Sequence, residues 1–445
     1  MFFLYSLLLT ISFVFLLPRF FFDAARKGKY AAGFRQRLGF LPELPDDEKS
    51  IIWLHCVSVG ETNAARPLVA EILENFPEYR LVVSTTTKTG QNLARTIFAD
   101  SAALIFYMPF DWRFSVRRAL RTVKPNIVLI METELWFNFV RESSKTGAKV
   151  IIVNGRLSEK SVQRYLLIPK TMCRVLHYVD AALMQGQKDA RRIMRLGIRA
   201  DKVKVTGNIK FDQNSDESKN DSTEYLRKRF DITKNAPLII AASTHAPEEK
   251  WILEAFKTVY KSAAANLPRL LIAPRHPERF AEVERLVKET GFDWAKRSES
   301  ESDRDKSAEI ILLDSIGELR AAYPLAEIVF VGGSLIARGG QSVLEPANAG
   351  KPIVTGSYTM NFEAVVKEFL TSGALVQLPK LPETAIAEKL AEMFLQLLQN
   401  TERRENLARN ALAVMEKNRG ATTKTVEYLT VFLKANVSEN TPTNN

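Results

Sequence analysis

From about residue 50 onwards, short and continuously apolar runs alternate with longer helical stretches. The runs that predict strands are residues 51–55, 81–85, 127–131, 149–153, 238–242, 269–273, 310–313, 328–331 and 352–355. Strands that are apolar on both faces and separated by helices indicate parallel sheets with helices on both sides. The pattern therefore predicts an α/β protein with two doubly wound, Rossmann-like domains, whose strand ends border an interdomain cleft for ligands.

The N-terminal 18 residues carry no charged side chain. At roughly 1.5 Å per residue they would form about 27 Å of helix, marginally enough to cross the hydrocarbon core of a bilayer. No Lys or Arg precedes the run, and Phe20, Phe21 and Phe22 follow it, which favours a membrane anchor over a cleaved signal peptide. The basic residues that come next place the remainder in the cytoplasm. A helix that lies in the membrane interface is the alternative.

The polar residues 213–221 (QNSDESKND) interrupt the pattern near the middle of the chain and predict a linker. The predicted domains are a membrane anchor over 1–22, an N-terminal domain over 23–212 and a C-terminal domain over 213–425. Residues 426–445 are expected to form a helix end and a flexible tail. The charged residues 296–306 predict a surface loop, in which Asp303 and Asp305 have the spacing of a metal motif but are expected to be solvated.

The net charge of +11 is unevenly distributed, with +13 over residues 1–212 and −2 over the remainder. Such an excess should face an anionic partner, and four arginines of one predicted helix share a face: Arg113, Arg117, Arg118 and Arg121. Basic patches interleaved with aromatic residues are missing, so no nucleic acid is expected. Two cysteines exclude a disulfide framework or a thiolate cage, and no metal site is predicted.

In the first half, acidic side chains follow two of the predicted strands. Glu61 comes just after a Ser-Val-Gly turn, near the start of a helix, where it faces the cleft or merely stabilises the first helical turn. Glu132 and Glu134 follow the strand over 127–131, beside Trp136. Carboxylates directly after a buried strand cost desolvation unless they have partners, which favours a functional site.

The second half offers groups that suit an anionic ligand. Lys210 lies where the domains join, and Ser243, Arg275 and His276 follow two strands that should end at the same edge. The glycine-rich segments 332–334 and 339–345 predict strand-to-helix turns of the kind that cradle phosphate. Glu345, at the next helix start, is placed to accept hydrogen bonds from sugar hydroxyls. This domain therefore has the features of a nucleotide-sugar binder.

Together these segments resemble the Kdo transferases, the 3-deoxy-D-manno-oct-2-ulosonic acid transferases of lipopolysaccharide synthesis. The matching segments are HCVSVGET (55–62), METELW (131–136), NGRLSEKS (154–161), GNIKFD (207–212), STH (243–245), PRHPERF (274–280), DSIGEL (314–319) and the glycine-rich run over 332–354. The match keeps its order from the N-terminal segment to about residue 420. It implies the GT-B glycosyltransferase fold, with no cofactor other than the donor substrate.

The resemblance implies that Kdo passes from CMP-Kdo to a lipid A precursor such as lipid IVA, with inversion and release of CMP, at the cytoplasmic face of the bacterial inner membrane. Glu61 is similar to the family's proton acceptor, and Glu132 and Lys210 are similar to its transition-state stabilisers. Segments that match its CMP contacts comprise Pro274, Arg275, Ser315, Ile316, Gly317, Ser342, Val343, Leu344 and Glu345. Gln341-Ser342 stands where the common pattern has His-Asn, and Phe137 where it has Pro.

Two other interpretations of the sequence remain open. Another membrane-associated GT-B enzyme, such as a lipid A disaccharide synthase or a UDP-sugar epimerase, would share the strand order but recognise UDP. A catalytically silent membrane adaptor would keep the fold and tolerate the loss of Glu61.

Overall fold

The computed structural model describes residues 2–27, 33–45, 49–212, 219–233, 236–263 and 266–439. The chain divides into two compact units. The N-terminal unit comprises Met1–Asn214 together with Asn418–Asn445, and the C-terminal unit comprises Ser215–Lys417.

The N-terminal unit contains a seven-stranded parallel sheet in the order β3-β2-β1-β4-β5-β6-β7. Its strands are β1 (Ser50–Cys56), β2 (Tyr79–Thr85), β3 (Ala102–Tyr107), β4 (Ile127–Met131), β5 (Lys149–Gly155), β6 (Ala181–Met184) and β7 (Val203–Val205). Its first nine helices are α1 (Phe2–Lys27), α2 (Phe34–Arg37), α3 (Val59–Asn75), α4 (Lys88–Ile97), α5 (Arg113–Val123), α6 (Phe137–Lys145), α7 (Glu159–Tyr165), α8 (Pro169–His177) and α9 (Gln187–Arg195). Two short 3-10 helices, Ala200–Lys202 and Ile209–Asp212, flank the last strand.

Alternate residues of the strands serve two separate cores. Trp53 of β1 packs in a cluster with residues of α5, α6, α8 and α9, whereas Ile52 and Leu54 pack in a second cluster with α3 and α4. Because both faces of the sheet are buried, these strands are continuous apolar runs in the sequence.

The C-terminal unit repeats this plan with the order β10-β11-β9-β8-β12-β13-β14. Its strands are β8 (Leu238–Thr244), β9 (Arg269–Pro274), β10 (Trp294–Lys296), β11 (Ile310–Leu312), β12 (Ile328–Val331), β13 (Ile353–Thr355) and β14 (Val376–Gln377). Its helices are α10 (Lys219–Arg229), α11 (Glu248–Ser262), α12 (Phe280–Lys288), α13 (Arg304–Ser307), α14 (Leu319–Ala322), α15 (Leu344–Asn348), α16 (Glu363–Thr371), α17 (Glu383–Gln399) and α18 (Thr401–Asn418). Three 3-10 helices complete it: Pro277–Arg279, Tyr323–Leu325 and Met360–Phe362.

The last helix, α19 (Ala421–Glu439), packs on α3 in the N-terminal unit, where its Ala421, Val426, Leu429 and Leu433 join the core. The sequence-based boundaries are wrong here, because residues 418–425 belong to the N-terminal unit and helix α19 continues into the expected tail. Sequence alone could not assign this helix, since its apolar face would suit either sheet.

The predicted linker and loop also differ from the structure. Residues 213–218 of the linker lie outside the described residues, and residues 219–221 already belong to α10. In the charged segment 296–306, Asp305 is buried and pairs with Arg229, whose Nε lies 2.8 Å from its Oδ2. This contact with a buried guanidinium removes Asp305 from solvent and anchors the segment at this point. Among the described residues, no group of three His, Cys, Asp or Glu side chains is placed to hold a metal ion.

Helix α1 covers the predicted membrane anchor. In the described part of the chain, we find no helix with both the length and the apolarity needed to cross a membrane. One side of α1 contacts the N-terminal unit: Tyr5 Oη donates to Asp111 Oδ2 at 2.8 Å, and the Phe13 ring lies 4.9 Å from that of Trp112.

Both sheets reverse their strand order at one point, between β1 and β4 in the first unit and between β8 and β12 in the second. At such a switch point the loops that leave adjacent strands diverge to opposite faces, which opens a crevice at the carboxyl edge of the sheet. Ligands of open α/β sheets bind at these crevices. The two switch points are therefore the places where functional side chains are expected.

Candidate functional site

Glu61 lies at the switch point of the N-terminal unit, in the first turn of α3. Both of its carboxylate oxygens are engaged: the Val57 N–H donates to Oε2 at 2.7 Å, and Ser58 Oγ donates to Oε1 at 2.9 Å. The side chain is buried, with 6% of the residue exposed. The hydrogen bonds hold the carboxylate in one orientation, so Glu61 both stabilises the start of α3 and presents a fixed acidic group.

The environment of Glu61 favours its protonated form. Burial raises the pKa of this carboxyl to about 7, and the charges of Glu132 and Glu134 add to the shift, while the bonds from Val57 and Ser58 oppose it. A carboxyl with this pKa exchanges a proton near neutral pH, which is what a general base requires.

Glu132 follows β4, the strand that pairs with β1, and two cations hold its carboxylate. Lys210 Nζ donates to Oε1 at 2.7 Å, and Arg156 Nε lies 3.0 Å from Oε2. The Glu132 backbone is left-handed, with φ of 56°, a conformation that is uncommon for residues other than glycine. Such strain at the end of a strand is typical of functional sites, because the surrounding structure must maintain it.

The loop that carries Lys210 is fixed from two sides. Asn154, also left-handed with φ of 54°, accepts the Ile209 N–H on its Oδ1 at 3.2 Å. Asp212 accepts the N–H groups of Gly420 and Thr422, at 2.7 and 2.5 Å, just before and within α19. The returning C-terminal helix thus helps to place the ammonium of Lys210.

Glu134 lies in the same carboxylate cluster, and burial followed by the charge of Glu132 raises its pKa. Between the two, Thr133 Oγ1 donates to the Arg156 carbonyl at 2.6 Å, which ties the turn after β4 to the end of β5. Arg156 was missed as a site residue in the sequence, although it belongs to the segment NGRLSEKS. A single arginine after a strand gives no local indication that it forms an ion pair, because its partner lies 24 positions earlier in the sequence.

In the C-terminal unit, the predicted ligand-binding segments lie at or beyond the carboxyl ends of three strands. Pro274 ends β9 and Arg275 follows it, with the Arg275 N–H donating to the Thr244 carbonyl at 3.0 Å. Ser315, Ile316 and Gly317 follow β11, the neighbour of β9. Ile316 is 82% exposed, and Ser315 Oγ is buried with no hydrogen-bond partner in the described chain.

The segment from Ser342 to Glu345 comes after β12, where α15 begins. Ser342 Oγ accepts the Leu344 N–H at 3.3 Å, and Val343 and Leu344 are buried. Glu345 was expected to accept bonds from sugar hydroxyls, but its Oε1 already accepts Arg320 Nη2 at 2.6 Å and Nε at 3.2 Å.

The glycine turn after β12 does not have the free N–H groups that a phosphate cradle needs. The N–H groups of Gly333, Ser334 and Leu335 donate to the buried carboxylate of Glu248, at 2.7, 3.0 and 2.9 Å. The predicted phosphate cradle over 332–334 is therefore wrong, because an internal anion occupies its donors. An acidic residue at a helix start is too common for the sequence to have indicated this role.

Two comparisons with known proteins agree on the family. A family model described as 3-deoxy-D-manno-octulosonic-acid transferase (Kdo transferase) matches residues 32–213. The chain is 32% identical over 416 residues to the 3-deoxy-D-manno-octulosonic acid transferase of Haemophilus influenzae, covering 93% of this chain and 94% of the relative. The chain belongs to the Kdo transferase family. It is also 30% identical to the corresponding enzyme of Chlamydophila psittaci, over 84% of each chain.

Solved structures of much lower identity share the fold of this Kdo transferase. The UDP-GlcNAc 2-epimerase from Neisseria meningitidis superposes with a TM-score of 0.56 at 15% identity, covering 85% of this chain and 99% of the epimerase. A glycosyltransferase from Rickettsia africae gives a TM-score of 0.56 at 14% identity, covering 87% and 99%. The two parallel-sheet domains therefore resemble GT-B glycosyltransferases, and the family places this transferase in lipopolysaccharide biosynthesis.

The basic face of this Kdo transferase differs in part from the expected array of free cations. Arg117 Nε lies 2.5 Å from Glu142 Oε2, and Arg113 and Arg141 contact the other oxygen at 3.4 and 2.9 Å. Arg118 donates to the Leu38 carbonyl and stacks on an aromatic ring. Three arginines around one carboxylate leave a local excess of positive charge, but Arg117 and Arg118 also hold structure together.

Proposed function

We propose that this Kdo transferase transfers Kdo from CMP-Kdo to a lipid A precursor, lipid IVA, and releases CMP with inversion at the anomeric carbon. The observation that carries the proposal is that two acidic residues lie at one switch point: Glu61, a fixed carboxyl of pKa about 7, and Glu132, a carboxylate held by two cations. A glycosyl transfer to a hydroxyl needs a base and stabilisation of charge in the transition state.

In the proposed reaction Glu61 accepts the proton of the acceptor's primary hydroxyl. The hydroxyl oxygen forms a bond to the Kdo anomeric carbon as the bond from that carbon to the phosphate oxygen of CMP breaks. CMP leaves with the electron pair. Glu132, held in place by Lys210 and Arg156, stabilises the positive character that develops on the sugar.

Mass spectrometry of the lipid product tests the proposal. The purified full-length protein is incubated with lipid IVA and either CMP-Kdo or a UDP-sugar. We expect the lipid to gain the mass of Kdo with CMP-Kdo only. A lipid that gains a sugar only from the UDP-sugar would favour a lipid A disaccharide synthase-like enzyme, and no gain from either donor would favour the silent adaptor.

The kcat/KM for the lipid acceptor should rise with pH through an apparent pKa near 7, because Glu61 acts as a base only when it is deprotonated. The Glu134→Gln variant should shift this midpoint to lower pH, since the Glu134 charge contributes to the raised pKa of Glu61. Initial rates measured across the pH range for both proteins check this. An identical midpoint in the two proteins would contradict the coupling.

We also propose that α1 holds the enzyme at the cytoplasmic leaflet of the bacterial inner membrane. The face of α1 turned away from the N-terminal unit carries six exposed apolar residues at helical spacing: Leu4, Leu7, Leu8, Ile11, Val14 and Phe15. An exposed apolar stripe of this size on a helix suits the interface of a bilayer. The arginines around Glu142 lie on α5 and α6, and α6 contacts α1 through Asn138 Nδ2 and Ser6 Oγ at 3.1 Å.

Two glutamates placed in this stripe should release the enzyme from lipid. Leu8 and Ile11 are 55% and 44% exposed, so Leu8→Glu with Ile11→Glu leaves the packed side of α1 intact. Burial of each such side chain is worth about 1.5–3 kcal/mol, so we expect binding to anionic vesicles to weaken at least about tenfold. Cosedimentation measures it. Val431→Glu, at a 70% exposed position of α19, is the matched control, and equal loss in both proteins would contradict the proposal.

A further inference from the structure

The backbone N–H groups of the glycine turn in the C-terminal unit are already hydrogen-bonded within the protein. Glu248 is fully buried, and its carboxylate accepts four backbone N–H groups, those of Gly333, Ser334 and Leu335 and that of His245 at 3.0 Å. These bonds join the end of β8 to the end of β12 across the switch point. An anionic ligand here must be bound by side chains, since the turn's donors are already used.

Side chains with hydrogen-bond donors converge beside this turn. The rings of His245 and His276 meet edge to face, with centroids 5.2 Å apart. A methyl group built on Gly333 would lie 3.5 Å from Gln341 Nε2 and 3.5 Å from His245 Cε1 and Nδ1. The Gln341 amide and the His245 imidazole therefore border the same space beside Gly333.

One carboxylate contacts this cluster, since His276 Nδ1 lies 3.9 Å from Glu278 Oε1, but two neighbouring arginines have no acidic partner among the described residues. No carboxylate of the described chain lies within 4 Å of the guanidinium of Arg275 or of Arg338, whereas Arg279 and Arg297 are both paired with glutamates. Thr244 Oγ1 is buried at the end of β8 with no hydrogen-bond partner within the described residues. A buried hydroxyl without a partner is costly, so a ligand group that bonds to it would stabilise this end of β8.

The charges around His245 agree with this. Its pKa is lowered, first by burial and then by the positive charge of His276 and Arg338, whereas the Ser243 carbonyl and Glu249 act in the opposite direction. Nδ1 lies 3.2 Å from the Ser243 carbonyl oxygen, which can only accept, so Nδ1 carries a proton and Nε2 donates to a ligand only when the ring is protonated. An anion beside Nε2 would favour that protonated form.

We propose that His245, His276 and Gln341 form a subsite for the carboxylate of the sugar acid in the donor. The inference rests on the proposed function. His276 and Gln341 adjoin segments expected to contact CMP, and the Arg275 N–H bonds to the residue before His245. None of the three is among the expected CMP contacts, so we assign the subsite to the part of the donor beyond CMP. In CMP-Kdo that part is Kdo, a sugar acid whose charged group is its carboxylate.

Separate measurements of CMP and CMP-Kdo affinity test the subsite. The full-length protein is titrated calorimetrically with each compound, without acceptor, as wild type, His276→Ala and Gln341→Ala. His276 is exposed, so its truncation should not disturb folding. A hydrogen bond to a charged group is worth about 1.5–3 kcal/mol, so each variant should bind CMP-Kdo about 10- to 100-fold more weakly, with CMP affinity unchanged within about twofold.

His177→Ala provides the matched control, because it removes an exposed histidine of α8, far from the residues of this subsite in sequence and in the other unit. Variants that lose affinity for CMP and CMP-Kdo equally would assign the cluster to the phosphate and overturn the proposal. Unchanged affinity for both compounds would also overturn it. Failure of the wild type to bind CMP-Kdo would refute the proposed function itself, and the subsite with it.

Discussion

The Glu61→Ala variant should lose Kdo transfer while it still binds CMP-Kdo. A positioned general base contributes about 10²- to 10⁴-fold to the rate, and we expect kcat to fall within that range. Glu61 suits this role because burial raises its pKa to about 7 and two hydrogen bonds fix its carboxylate. Single-turnover transfer to lipid IVA measures the chemical step, and calorimetric titration measures donor binding.

Controls on the same helix distinguish the loss of a base from the loss of a helix start. Ser58 Oγ and the Val57 N–H both bond to Glu61, so Glu61→Gln keeps an acceptor there and tests the carboxylate alone. Glu74→Ala removes an exposed carboxylate at the other end of α3. Transfer by Glu61→Gln at nearly the wild-type rate would rule out Glu61 as the base, and loss of activity in Glu74→Ala would indicate damage to the helix.

Nine of the described strands could be predicted from the sequence, including the three-residue β11 and β13, whereas five could not. Residues 127–131 and 328–331 coincide with β4 and β12, because strands buried on both faces are unbroken apolar runs. The strands β7, β10 and β14 have only two or three residues and lie at sheet edges, where partial exposure removes the apolar signal. The strands β3 and β6 were also missed, since helical and short strand segments of similar apolarity are hard to separate.

Candidate site residues could be predicted from local patterns only where they come soon after a recognisable strand. Glu61 and Glu132 were found in this way, and the structure places them after the adjacent strands β1 and β4. The resemblance supplied the role of Lys210, whose pairing with Glu132 depends on a loop held by Asn154 and Asp212. Arg156 and Glu248 act across the sheet, through contacts made between distant parts of the chain. Their roles depend on strand order, which local patterns do not specify.

The contacts of Glu132 allow its catalytic contribution to be separated from its structural one. Lys210→Met should leave the 14% exposed Glu132 carboxylate with Arg156 as its charged partner. The loss of one partner from a largely buried group costs about 1–3 kcal/mol of unfolding free energy. If the pair also stabilises the transition state, kcat should fall about 10²- to 10³-fold, as for the loss of one preorganised donor.

The double variant Glu132→Gln with Lys210→Met decides between these contributions. It removes both charges of the pair, so the free energy of unfolding should return most of the way to the wild-type value, because no carboxylate is left without its ammonium. The rate should not recover, since residues that act as a unit in catalysis give non-additive losses. Urea unfolding and single-turnover transfer complete a double-mutant cycle when both are measured on the wild type, on Glu132→Gln, on Lys210→Met and on the double variant. Recovery of kcat together with stability would mean that Lys210 and Glu132 serve the fold alone.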